Sequence, residues 1–285
     1  MQIAVFSDIH GNYIAFQKCL DYALSRNIDT FIFLGDYLGE FPYPQKTMKM
    51  LYSMRDKYTC YFVKGNKEDY WLDRKYNHNC IWKDGNHTVG AMHYTYENQT
   101  PKDLAFSEKL TPTLEINIDG TLPILACHGS PNRNTEKMLP DNENTKKIMA
   151  ESTYRYILCG HTHMQYAIKH DDKIALNPGA VGVPLHSNGK TQFMILTQNN
   201  AEWTHEFISL DYEQEQVIRE LQESGLFAAA PYWSEVTKHL LLTGEVSHAS
   251  VLFKAMSLCE KKNGESNWYA VPDKYWKQAI DELLA

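Results

Sequence analysis

The sequence predicts an α/β fold, and three observations carry the prediction. Short apolar runs alternate with helical stripes through the first third, polar turns separate strand-like runs through the middle, and the last quarter is helical in pattern. Residues 3–7 read as a buried strand. Residues 13–26 follow as a helix, with Ile14, Ala15, Cys19, Leu20, Ala23 and Leu24 on one stripe. Residues 29–34 form a second strand, 45–54 a second helix and 59–63 a third strand. Strand, helix, strand, helix, strand in that order means parallel βαβ units.

Residues of about 69–115 break this rhythm. The stretch is rich in rings (Tyr70, Trp71, Tyr76, His78, Trp82, His87, His93, Tyr94 and Tyr96) and is expected to be a mostly helical insertion capping the mouth of a site. Most of these rings are expected in a core, because aromatic side chains bury large areas; stacking on a bound base is the functional alternative. Strand pattern returns at 122–127, 155–159, 164–169, 173–176, 192–196 and 203–208. The Asp171-Asp172 and Asn199-Asn200 turns suggest hairpins, so this half is expected to be largely antiparallel. From Tyr212 the pattern turns helical, with Val217, Ile218 and Leu221 on one face, Gly225 and Pro231 as punctuation, and a final helix over 275–284. The expected organisation is a main domain over 1–210 carrying the cap insertion, then a helical extension over 211–285 that serves packing or dimerisation.

The 285 residues, 43% of them hydrophobic, suffice for one large α/β domain with an attached smaller unit. A formal net charge of −7 argues against general nucleic-acid binding and against anionic membranes. Six cysteines (Cys19, Cys60, Cys80, Cys127, Cys159 and Cys259) show no Cys-x-x-Cys spacing, and several sit in apolar runs, which fits reduced, buried thiols. The chain enters a strand-like run at once, without the pattern of a signal peptide, and no apolar stretch is long enough to span a bilayer. A cytoplasmic location is expected.

Five short polar signals each follow an apolar strand: Ser7-Asp8-Ile9-His10-Gly11-Asn12, Gly35-Asp36-Tyr37-Leu38-Gly39, Gly65-Asn66-Lys67-Glu68, Cys127-His128-Gly129-Ser130 and Gly160-His161-Thr162-His163. Strand ends along one sheet edge converge on a crevice, where open α/β sheets place their ligands. Carboxylates, an amide oxygen and imidazoles together suit divalent ions such as Mn, Fe or Zn. Asp8 and His10 are two apart, as are His161 and His163. That spacing sets both side chains on one face of a strand, or lets a loop chelate. A carboxylate such as Asp36 can bridge two ions through its two oxygens. Singly, each signal reads as a capped turn; together, in this order, they read as a metal centre. Asn12 is expected to cap the helix that follows it, Glu68 and Asp69 to orient ligands, and His93 and His186 to be structural.

The set resembles the calcineurin-like metallophosphoesterase superfamily, whose pattern is D-x-H, G-D, G-N-H-[ED], H and G-H-x-H, and the resemblance covers residues 8–163. Leu176-Asn177-Pro178-Gly179-Ala180 is similar to a turn of its small bacterial branch. The Gly-Asn-x-Glu-Asp run, the length and the helical tail are similar to phosphodiesterases of that branch, asymmetric dinucleoside-polyphosphate hydrolases among them. The resemblance implies a four-layer αββα sandwich of two mixed β-sheets, with helices outside. It implies two divalent metal ions, one held by Asp8, His10, Asp36 and His163, the other by Asp36, Asn66, His128 and His161. It implies a hydrolase in which a hydroxide shared by ions about 3.5–4 Å apart attacks phosphorus.

Asn66, Lys67 and His128 are the expected catalytic contacts. Lys67 stands where the family's longer signature has histidine; lysine neutralises charge on a phosphoryl oxygen, but at its ordinary pKa it is a poor proton donor to an alkoxide. The expected substrate is a phosphorylated small molecule cleaved at a phosphodiester or phosphoanhydride, with nucleotides and dinucleoside polyphosphates as candidates. The alternatives are a phosphomonoesterase, a protein phosphatase and a non-catalytic interaction protein on the same scaffold. A homo-oligomer is compatible with the helical tail.

Overall fold

A computed structural model describes residues 1–77 and 87–285. Its first elements are those the periodicity predicts: β1 (Gln2–Phe6), α1 (Tyr13–Ser25), β2 (Thr30–Phe33), α2 (Pro44–Lys57) and β3 (Thr59–Phe62). Helices α3 (Asn66–Tyr76), α4 (Thr88–Glu97) and α5 (Pro101–Glu108) follow, then β4 (Thr113–Ile116), β5 (Ile124–Cys127), α6 (Glu143–Glu151) and β6 (Tyr156–Leu158). Next come β7 (Gln165–His170), β8 (Lys173–Pro178), β9 (Thr191–Asn199) and β10 (Glu202–Leu210). The tail holds α7 (Gln214–Glu223), α8 (Leu226–Ala229), α9 (Pro231–Thr243), α10 (His248–Asn263) and α11 (Asp273–Leu283).

The strands form two five-stranded sheets, in the orders β10-β9-β1-β2-β3 and β4-β5-β6-β8-β7. Alternation of side chains sorts them into layers. Ala4, Phe6, Phe31 and Phe33 pack with Phe16 of α1 and Met48 and Leu51 of α2. Their neighbours Ile3, Val5, Ile32 and Leu34 meet Ile124, Ala126, Leu158 and Leu176 of the other sheet. On the far face, Cys127, Ile157 and Ala175 pack against Ile148 and Met149 of α6. Helix, sheet, sheet, helix is the expected four-layer sandwich, and burial on both faces is why β1 and β2 read as unbroken apolar runs.

The half beyond residue 122 is largely antiparallel, as expected, through the β7–β8 and β9–β10 hairpins and the β1–β9 and β4–β5 pairings, but β5, β6 and β8 pair in parallel. The crossover that permits this is α6, started by Asn142, whose side chain accepts from Thr145 N–H at 3.1 Å. The stretch read as an insertion over 69–115 ends inside the sandwich, because β4 is an edge strand antiparallel to β5.

Within that stretch, Trp71 is 1% exposed and shares the main core with Val89 and Met92. Tyr96 packs on the same core and Tyr94 on the tail helices. His78, Cys80 and Trp82 lie outside the described residues. The tail builds an apolar cluster around Trp233, Leu240, Val251 and Trp276, seated on Phe41, Ala180 and Val183. Among the described residues, no helix is long and apolar enough to cross a membrane.

Candidate active site

Loops leaving β1, β2, β3, β5 and β6 bring the predicted side chains together. Backbone hydrogen bonds tie loop to loop: Asp8 N–H donates to Gly35 O (3.1 Å), His10 N–H to Asp36 O (2.9 Å), Gly160 N–H to His128 O (2.6 Å) and Gly182 N–H to Asp8 O (2.9 Å). Gly65 is required by close approach, since a Cβ there would lie 2.2 Å from Asp36 Oδ1. Asp8, His10, Asp36, His161 and His163 all have positive φ, from 53° to 65°. This left-handed conformation costs roughly 1–2 kcal/mol per non-glycine residue and persists where the surroundings over-determine it. The Asp-x-His and His-x-His pairs therefore sit in strained loops, the chelating alternative that their spacing left open.

Each aspartate has one oxygen held by the protein and one turned to the cluster. Asp8 Oδ2 accepts from the Ser7 hydroxyl (2.5 Å) and His161 N–H (3.0 Å), while Oδ1 is buried without a hydrogen-bond partner. Around that oxygen stand His163 Nε2 at 3.2 Å, His10 Nε2 at 3.5 Å and His128 Nε2 at 3.9 Å. Asp36 Oδ1 accepts from Lys67 N–H (2.8 Å), leaving Oδ2 3.5 Å from His128 Nε2 and 3.8 Å from His10 Nε2. Asp36 thus offers one free oxygen to both rings, where the sequence suggested a bridge through two. Asn66 Oδ1 lies 3.1 Å from His128 Nε2, and the His161 ring meets His128 with centroids 5.1 Å apart. Among the described residues two donor groups result, Asp8-His10-His163 and Asp8-Asp36-His128, each with its ligand atoms within 4.8 Å of one another.

The donor chemistry fits divalent metal. His128 Nδ1 donates to Leu34 O (2.7 Å), and His10 Nδ1 is paired with the Glu40 carboxylate. Both partners only accept, so Nδ1 keeps its proton and Nε2 is the nitrogen each ring would offer to a metal ion on losing its own. Burial works against a charged ring at His10 and His128, but Glu40 and Asp8 at the first, and Asp36 and Asp8 at the second, carry them up to about 10 and about 9. The carboxylates thus create a field that calls for positive charge, which metal ions supply when bound.

Other predicted residues fall as follows. Glu68 accepts from the backbone N–H of Gly65 (2.8 Å), Asp36 (3.0 Å) and Tyr37 (3.0 Å), and so holds the Asp36 loop against the start of α3. Asp69 lies farther out, paired with Lys64 at 2.7 Å. Asn12 caps α1 by accepting from Ala15 N–H at 3.1 Å. Asn177 donates to Gly160 O (2.7 Å), so the 177–179 turn braces the His161 loop. His93 pairs with Glu97 and His186 with Glu245, and neither lines the cavity.

Glu40 is a residue that sequence reasoning missed. It is 5% exposed, and besides holding His10 it pairs with Lys67 Nζ at 2.7 Å. Nothing in a lone glutamate after Gly39 signals this. Burial opposes the charge on Lys67, but Glu40 and Asp36 raise its pKa above the usual lysine value. It therefore stays a cation.

The cluster floors a cavity of about 430 Å³. Lys67 and Lys137 are its lining cations, and Tyr70 and Met92 come from the cap. Much of the remaining wall belongs to the tail, through Trp233, His248, Leu252, Phe253, Met256 and Trp268. The tail packs as expected, and it also lines this cavity. Of the described cap rings Tyr70, Trp71, Tyr76, Tyr94 and Tyr96, Tyr70 is the one that lines the cavity.

A two-sheet sandwich with aspartate, asparagine and histidine donors at its strand exits defines a metal-dependent phosphoesterase. The chain belongs to the calcineurin-like phosphoesterase superfamily, whose domain profile matches residues 1–201. It is 24% identical over 251 residues to the uncharacterized protein MJ0912 of Methanocaldococcus jannaschii, covering 81% of this chain and 94% of that protein. In fold it is similar to the hypothetical protein PH1004 from Pyrococcus horikoshii OT3, with a TM-score of 0.73 and 18% identity over 86% of this chain and 99% of that one. It is likewise similar to a metallophosphoesterase from Sphaerobacter thermophilus, with a TM-score of 0.66 and 22% identity over 86% and 100% of the two chains.

Proposed function

We propose that the protein hydrolyses a phosphodiester or phosphoanhydride of a phosphorylated small molecule, with two divalent ions held by Asp8, His10, Asp36, Asn66, His128, His161 and His163. The observation that carries this reading is Asp8 Oδ1, a buried carboxylate oxygen without a hydrogen-bond partner and ringed by three imidazole nitrogens. A buried carboxylate oxygen is costly unless a cation meets it. Bound ions supply charge neutralisation and an activated water.

The chain's own residues do the rest. Lys67, held by Glu40, sets a permanent positive charge on the cavity wall beside the incoming phosphoryl group. Its raised pKa assigns it electrostatic work and not proton donation. Asn66, the first residue of α3, lines the cavity within reach of the phosphoryl group, whereas His128, fixed by Leu34 O and fully buried, would act through the metal ion it holds. Mn, Fe and Zn all suit the donor set. The reading includes a nucleotide among candidate substrates and a cytoplasmic setting, supported by free, fully buried thiols at Cys19, Cys127 and Cys159.

The test is a panel of diesters, anhydrides and monoesters offered to manganese-loaded protein in ¹⁸O-water, with products identified by mass spectrometry. One ¹⁸O in the phosphate product of a diester or anhydride is expected, together with loss of turnover on chelation. Turnover confined to monoesters overturns the reading.

A further inference from the structure

We infer that the helical tail forms the substrate-reading half of this site, a subsite for a flat aromatic group of nucleobase size carried on the phosphate. The inference rests on the phosphoesterase reading above and adds which part of the chain recognises the organic moiety. The cavity is divided by chemistry. Lys67 stands beside Asp36 and Glu40, whereas Leu252, Phe253 and Met256 of α10, with Trp268 beyond it, supply apolar lining. Phe253 is 63% exposed, an apolar ring displayed at a cavity mouth. A ligand matched to such a cavity is charged at one end and flat and apolar at the other. A volume of about 430 Å³ falls within the roughly 300–1,000 Å³ of sites that hold drug-sized molecules. Inorganic phosphate alone leaves most of it unfilled.

His248 supplies a second, independent observation. It is the first residue of α10, 8% exposed, and its ring lies on Trp233 with centroids 4.3 Å apart. The Thr237 hydroxyl donates to Trp233 O (3.0 Å), so its oxygen accepts from His248 Nε2–H (2.8 Å). Nδ1 is then a bare acceptor in a residue that lines the cavity. Glu40, Lys67, His10 and His163 are the ionisable groups around it; burial lowers the ring to about 3, with Lys67, His10 and His163 adding to the lowering and Glu40 opposing it. A neutral acceptor beside an apolar wall suits the ring N–H or amine of a base.

The experiment compares two esters with one leaving group, thymidine 5′-(p-nitrophenyl) phosphate and methyl p-nitrophenyl phosphate, on the full chain loaded with manganese. Stacking on an aromatic wall is worth about 5- to 150-fold per base, so kcat/KM is expected to favour the nucleoside ester by at least that lower bound. Phe253→Ala with Met256→Ala, remote from the metal ligands, is expected to lower the nucleoside ester about tenfold and the methyl ester less than twofold. Calorimetric titration with thymidine 5′-phosphate against inorganic phosphate reads the subsite without turnover, and at least fivefold tighter binding of the nucleotide is expected. Equal affinity, or a variant that loses both esters alike, overturns the inference. Failure to cleave either ester overturns the diester reading instead, and the titration still decides the subsite. Thymine methylated at N3 lacks the donor for His248 and is expected to bind at least fivefold more weakly; unchanged affinity removes His248 from the subsite.

Discussion

Glu40→Gln separates the orientation of a metal ligand from the general stability of the site. One Glu40 oxygen faces His10 Nδ1 and the other lies 2.7 Å from Lys67 Nζ. Glutamine keeps the volume but turns one oxygen into an amide N–H₂ that accepts from neither partner, so one contact is lost whichever way the amide points. Loss of the group that orients a ligating histidine typically costs about 10–100-fold in metal affinity, or about 1.4–2.7 kcal/mol. Lys67, whose side chain is 13% exposed, is also left without a carboxylate. Breaking a buried pair from one side costs up to about 3–5 kcal/mol of stability. The assay is calorimetric manganese titration alongside thermal unfolding of the metal-free chain. Glu245→Gln is the control: Glu245 also faces a histidine, His186 at 3.2 Å, but is 53% exposed. It is expected to shift stability by at most about 1 kcal/mol and manganese affinity not at all. Glu40→Gln protein that unfolds early yet binds manganese within twofold of wild type refutes the orienting role.

Elemental analysis of manganese-loaded wild type is expected to approach two equivalents per chain, and Asp36→Asn to lower both occupancies, because Asp36 Oδ2 reaches rings of both donor groups; selective loss of one ion excludes the shared role. Lys67→Ala is expected to slow an alkyl-linked ester and a nitrophenyl ester by the same factor, with metal content unchanged, since the raised pKa leaves Lys67 a charge and not an acid. A larger loss on the alkyl ester assigns it to leaving-group departure. Gly65→Ala sets a Cβ 2.2 Å from Asp36 Oδ1 and 2.3 Å from Asp36 N, and is expected to cost roughly 1–3 kcal/mol in urea unfolding together with most of the bound manganese.

The donors were legible in the sequence because each follows an apolar run that ends at a glycine-flanked turn, a pattern local enough to read. The βαβ units and both hairpins were legible for the same reason. What escaped depends on distant partners. That β6 lies between β5 and β8 follows from pairings across many residues, and α6 gives little periodic signal with Ile148 and Met149 as its main apolar contacts. The four-residue β4 is too short to show a period. Glu40 has a role only because His10 and Lys67 arrive on either side of it. The tail reads as amphipathic helices that need a core, and they have one. That the opening turns of α10 also face the cluster is a fact of docking, which periodicity does not encode.

The return of β9 to the first sheet has a consequence in time. β1 has β2 on one side from early in synthesis, but its other neighbour is β9, pairing Ile3 with Leu196 and Val5 with Met194. At about 5–20 residues per second, several seconds of translation separate the emergence of Phe62 from that of Thr191. Through that interval a strand whose Ile3, Ala4, Val5 and Phe6 are all destined for full burial has an open edge. The cage closes no sooner than His163, and α10 follows later still. Metal loading is thus a late event in this chain's life, and a nascent chain stalled before β9 is a natural client for a chaperone.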